Sequence, residues 1–77
     1  MQQEPQSGLG RAVQAMRKEA GIDQAALAEC AGLPEPLIAE IESGKADPAW
    51  GDVRRVAGAL DVTLEQLSEL AEELEGD

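Results

Sequence analysis

Few residues in this chain could do covalent chemistry. Cys30 is the one thiol among 77 residues, and there is no histidine. A thiol becomes a nucleophile when a cation or a base stands beside it. The chain neighbours of Cys30 are Glu29 and Ala31, which supply no positive charge, so Cys30 is expected to be a small, partly buried helix residue. Glu72 and Glu73 form an adjacent carboxylate pair, but they fall on a solvated helix end. No loop spaces its acidic residues as a calcium site requires. An enzyme is therefore set aside, and no cofactor or metal is expected.

Charge is the next constraint. The net charge is −10, from 16 acidic and six basic side chains. Its distribution is uneven: residues 1–21 net +1, whereas residues 62–77 hold six acidic side chains and no basic one. Neutralisation of phosphates supplies nearly all non-specific affinity for nucleic acid. An acidic chain starts at a disadvantage there unless a local basic face lies away from the acid. One cysteine permits no internal disulfide, and no apolar run approaches the roughly 20 residues of a membrane span. Met1 to Gln6 is polar and has no signal-peptide pattern. The expected location is the cytoplasm, with no membrane partner.

The elements that must position any site are helical. With one Trp and no Phe or Tyr, the core has to come from Leu, Ile, Val, Ala and Met, which favours close-packed helices. Leu9, Ala12, Val13, Met16 and Ala20 repeat at helical spacing over 9–20, and Gly21 follows as a stop. Asp23 is a good N-cap for a second helix to Ala31, with Leu27, Ala28 and Ala31 as its stripe and Gly32 as its stop. A third helix is predicted over 35–43, with Pro34 and Pro36 tolerated only at its start. Ile38 and Ile41 point inward, and Gly44 ends it. Asp47-Pro48 opens a fourth helix over about 50–60, whose inward stripe is Trp50, Val53, Val56, Ala57 and Leu60. Thr63 and Gln66 form a capping box for a fifth helix, 64–74, striped by Leu64, Leu67, Leu70, Ala71 and Leu74. Glutamates crowd its C-terminus, where negative charge opposes the helix dipole, so fraying is expected. The organisation is one helical domain over 8–75, between a disordered tail at 1–7 and two trailing residues, 76–77.

The second and third helices are joined by Ala31-Gly32-Leu33-Pro34, a helix–turn–helix spacing. Together with Leu9-Gly-Arg, Met16-Arg17, Gln24, Leu27-Ala28, Ile38, Ile41-Glu42-Ser-Gly44-Lys45, Val56-Ala57 and Leu60 to Leu67, the pattern resembles the Cro/lambda-repressor-like (XRE) family over about Leu9 to Leu70. The resemblance implies an all-α, compact five-helix fold. It also implies that Arg17 and Glu42 pair, tying the first helix to the third, and that Gln24 and the start of the second helix face a DNA phosphate. The third helix would then be the recognition helix, lying in the major groove.

This chain departs from the pattern there. At about 100° per residue, Pro36 and Glu40 are centred outward on the third helix, flanked by Glu35, Leu37 and Ala39. Groove-reading helices usually carry Arg, Asn, Gln or similar donors at such positions. Glu40 or Glu35 can accept from cytosine N4, yet each also repels phosphates. Lys45 is the remaining cation in the loop that follows. Arg54 and Arg55 lie on the outer side of the fourth helix. The DNA candidates are thus Gln24, Glu35, Pro36, Ala39, Glu40 and Lys45. Two readings stay open. One is a DNA-binding transcriptional regulator, a homodimer on a palindromic site, joined through Leu67, Leu70 and Leu74. The other is a helix-turn-helix module repurposed for a protein partner at the third helix, with weak or no DNA binding.

Overall fold

Helix boundaries follow the punctuation in the sequence. The computed structural model describes residues 7–45 and 48–75, and these form five helices: α1 (Ser7–Ala20), α2 (Gln24–Ala31), α3 (Glu35–Ser43), α4 (Trp50–Ala59) and α5 (Leu64–Glu75). Strands are absent among the described residues. Helix α1 starts at Ser7, two residues before Leu9, so the tail expected over 1–7 otherwise lies outside the described residues, as do 76–77. The Asp47 expected to open α4 also lies outside them. Ala49 stands at the cap position of α4 and makes no side-chain cap hydrogen bond.

The caps have concrete partners. The Asp23 carboxylate accepts the Ala26 N–H at 2.8 Å. Thr63 Oγ1 accepts the Gln66 N–H at 3.0 Å, and Gln66 Oε1 accepts the Thr63 N–H at 2.9 Å, which is the reciprocal box. Gly32 takes φ 73°, a left-handed geometry that a side chain disfavours. The Gly32 and Leu33 N–H groups then close onto the Glu29 and Ala28 carbonyls, so α2 ends in a hydrogen-bonded turn that feeds directly into α3. Helix α4 ends at a comparable turn, but there a non-glycine residue, Asp61, takes the positive φ of 62°.

The core is aliphatic, as the composition requires. Ala12 and Val13 of α1 meet Leu27 and Ala28 of α2, Ile38 and Ile41 of α3, Val56, Ala57 and Leu60 at the end of α4, and Leu67 of α5. Burying each of the larger side chains contributes roughly 1.5–3 kcal/mol. Helix α1 packs against α5 and α3, while α2 packs against α3 and α4. Gly10 permits the α1–α3 crossing: a Cβ there would collide with the Ile41 and Glu42 carbonyl oxygens. Gly8 does the same for α5, whose Ala71 carbonyl lies against it.

Three expectations are corrected. Trp50 is not inward; it is 68% exposed. Trp50 is the first residue of α4, so no preceding turn of that helix covers it. Cys30 is exposed rather than partly buried, because α3 and α4 cover α2 on its Leu27–Ala28–Ala31 side and Cys30 lies on the flank. Ala20, at the last turn of α1, is likewise exposed.

Candidate nucleic-acid interface

The site is built on α2, the Gly32 turn and α3, and one buried charge cluster holds these to α1. Arg17 of α1 is 8% exposed. Its Nε donates to Glu42 Oε2 at 2.6 Å and its Nη2 to Glu42 Oε1 at 3.1 Å. This is the two-pronged geometry in which an arginine–carboxylate pair is strong. The third guanidinium nitrogen, Nη1, donates to the Ile22 carbonyl at 2.9 Å, in the loop before α2. The hydrogen bond to Glu42 pushes the guanidinium above its ordinary pKa; burial opposes this, and the charges of Glu42 and Asp23 add to the rise.

Gln24 belongs to the same cluster. It is the first residue of α2 and lies one turn before Leu27 and Ala28, on the inward face of that helix. Its Nε2 donates to Glu42 Oε1 at 3.0 Å. The family resemblance implied a phosphate contact for Gln24 but not this bond, whose partner is 18 positions away on another helix. Its second amide hydrogen and its amide oxygen have no partner among the described residues.

The outer face of α3 is as the helical rotation implied. Glu35, Pro36 and Glu40 are exposed, and Leu37 and Ala39 are half-buried. Lys45 is exposed just after Gly44, whose φ of 80° ends α3. Arg54 and Arg55 are both exposed on α4. Arg55 Nη1 lies 3.5 Å from the place a Cβ on Gly32 would occupy, so this cation stands over the turn between α2 and α3. No group of three His, Cys, Asp or Glu side chains gathers to hold a metal among the described residues. No helix among them is long and apolar enough to cross a membrane.

The residues expected to join two copies are placed differently from one another. Leu67 is 1% exposed, fully used by its own core. Leu70 and Leu74 are half-buried against that core. Beside them is a groove of about 310 Å³ that the sequence reading did not anticipate, walled by Leu9, Pro48, Trp50, Val53, Leu64, Leu67, Ser68 and Ala71. It separates the N-terminal ends of α1 and α4 from one side of α5, and the exposed Trp50 forms its rim.

Comparison with known proteins agrees with this geometry. The family described as "helix-turn-helix domain" matches residues 8–70. The immunity repressor protein of Bacillus phage phi105 is 36% identical over 56 residues, which is 73% of this chain and 39% of the repressor. The chain thus spans about two-fifths of the length of that relative. Among solved structures, the restriction-modification controller protein C.AhdI from Aeromonas hydrophila has a TM-score of 0.79 at 24% identity, covering 80% of this chain and 94% of its own. The clp gene regulator ClgR from Corynebacterium glutamicum has a TM-score of 0.90 at 22% identity, covering 96% of this chain and 81% of its own. At such identities the two structures speak for the fold. The match over 8–70, the α2–Gly32–α3 turn and the Arg17–Glu42 pair together make this chain a member of the helix-turn-helix domain family, of the Cro/lambda-repressor-like kind.

Proposed function

We propose that this chain binds double-stranded DNA as a transcriptional regulator of the cytoplasm, acting as a homodimer on a palindromic site. The observation that carries the reading is the α2–turn–α3 unit, which is held rigidly to α1 by Arg17 and Glu42 and leaves the outer face of α3 uncovered. The start of α2 and Gln24 face one phosphate, and Lys45 faces another. Glu35, Pro36, Ala39 and Glu40 enter the major groove, where a carboxylate accepts from cytosine N4. Arg55, over the Gly32 turn, adds a cation that the loop after α3 lacks. Acidic side chains concentrate on α5, which packs chiefly against α1 and α4.

The homodimer rests on surface chemistry. Trp50 is the exposed large hydrophobic side chain among the described residues, and it rims an apolar groove. A knob and a hole on one patch can satisfy each other across a two-fold axis. Leu70 and Leu74 are half-buried on α5, which supplies Ala71 to the groove wall, whereas Leu67 acts from within the protomer. Related proteins named as a repressor and as regulators support the DNA reading. The other reading, a module repurposed for protein contacts, is not favoured by them. Selection of bound duplexes from a random pool at low salt tests the proposal. Enrichment of an inverted repeat is expected; recovery of no preferred or bound sequence would reject it.

A further inference from the structure

We infer that Glu42 is a positioning residue for Gln24 at the DNA interface, so that the ion pair holding the fold together also presets a phosphate-contacting side chain. The inference rests on the proposed DNA binding and deepens it. The Glu42 side chain is only 3% exposed. Its Oε1 accepts from both Arg17 Nη2 and Gln24 Nε2, at 3.1 and 3.0 Å. Arg17 reaches the Ile22 carbonyl as well, so one cluster links α1, the loop entering α2, the first residue of α2, and α3. A glutamine has three side-chain torsions to fix when it binds a ligand, and fixing them costs entropy. Here one amide hydrogen is already committed to Glu42, and that cost falls on folding rather than on binding. The second amide hydrogen is left to point away from Glu42, at the end of α2 where the Gln24 and Ala25 backbone N–H groups precede any intrahelical partner.

Two properties separate this role from a merely structural one. Gln24 is uncharged, so its contact displaces no counterion. Its loss should weaken DNA binding by the same factor at every salt concentration, without changing the slope of log affinity against log salt. The effect should also be shared with the ion pair rather than added to it.

The test uses a duplex enriched from a random pool by the parent protein. Affinities are measured for the parent, Q24A, the double variant R17L/E42M and the triple variant. The double variant removes both buried charges together, so neither is stranded. Q24A and R17L/E42M should each weaken binding by roughly three- to tenfold per protomer, an entropy-sized effect. The triple variant should be no weaker than either, because coupled residues are non-additive. Undiminished binding by a folded R17L/E42M, or full additivity in the triple variant, would overturn the inference while leaving the DNA reading intact. Failure of the parent to bind any duplex would overturn both. A measurement on the DNA-free parent needs no variant: the Gln24 side-chain NH2 should show restricted fast motion by NMR relaxation, close to that of the α2 backbone. A side-chain amide as mobile there as that of a solvent-exposed glutamine would overturn the inference.

Discussion

Arg11, near the start of α1, donates its Nη1 to the carbonyl oxygen of Leu74, near the end of α5, at 3.2 Å. Helix α5 ends in Glu72, Glu73 and Glu75 with no basic residue in its last turn, which opposes its dipole. The missing cation comes from α1 instead. In the same corner the Glu75 side chain lies against Gly8, at the start of a helix with no acidic residue in its first turn. Each helix thus supplies the charge that suits the other's dipole. Arg11→Ala should loosen only this corner: amide exchange over residues 71–75 should quicken, while residues of α2 and α3 keep their protection. High salt should reduce the difference between variant and parent. Equal exchange in both proteins would show that Arg11 does not hold α5.

The Arg17–Glu42 pair sets the largest single-residue effect expected here. Removing one partner of a buried pair strands the other and typically costs roughly 3–5 kcal/mol. A core of this size supplies roughly 3–5 kcal/mol in total. Arg17→Ala should therefore leave much of the population unfolded at 25 °C, by circular dichroism. A melt within a few degrees of the parent would place the pair in solvent.

Glycines of α1 and α4 should respond in opposite directions. A Cβ at Gly10 meets the backbone of α3, whereas one at Gly58 meets nothing within 4 Å. Gly10→Ala should force α1 off α3, an overpacking effect of roughly 1–3 kcal/mol. Gly58→Ala should stabilise by up to about 1 kcal/mol through helix propensity alone. Denaturant midpoints measure both, and a neutral Gly10→Ala would contradict the close α1–α3 approach.

Much of this was legible in the chain, for reasons that differ by residue. Stops at Gly21, Gly32 and Gly44 and the Thr63–Gln66 box act locally, so α3 begins and ends where its sequence pattern puts it. The Arg17–Glu42 pair joins residues 25 apart and became readable through the family resemblance, not through spacing. Trp50 shows the limit of periodicity: a helical face gives direction, but not whether anything lies in that direction. The Gln24–Glu42 bond and the Arg11–Leu74 bond depend on how helices cross, which no local pattern encodes. The two glycines of α1 do mark its close crossings in the sequence, since glycine inside a helix usually has a packing reason.

The dimer face is expected to depend on Trp50. Trp50→Ala should shift the mass measured by light scattering toward the monomer at micromolar concentration. Leu67→Ala, by contrast, should lower thermal stability first, since Leu67 lies in the protomer core. Added salt should tighten the dimer by screening the glutamates of α5. A parent that stays monomeric across this range would reject the homodimer.

DNA binding by so acidic a chain is the central claim, and affinity measured against salt tests it most directly. Binding of the enriched duplex, followed by fluorescence anisotropy, should be saturable at low salt. Log affinity should then fall linearly with log salt by about 0.9 for each phosphate neutralised. With Lys45 and Arg55 as the nearest cations, the slope should be shallow, set by a few phosphates per protomer. Saturable binding with such a slope is the predicted result. No binding to any duplex at low salt, or an affinity indifferent to salt, would contradict it.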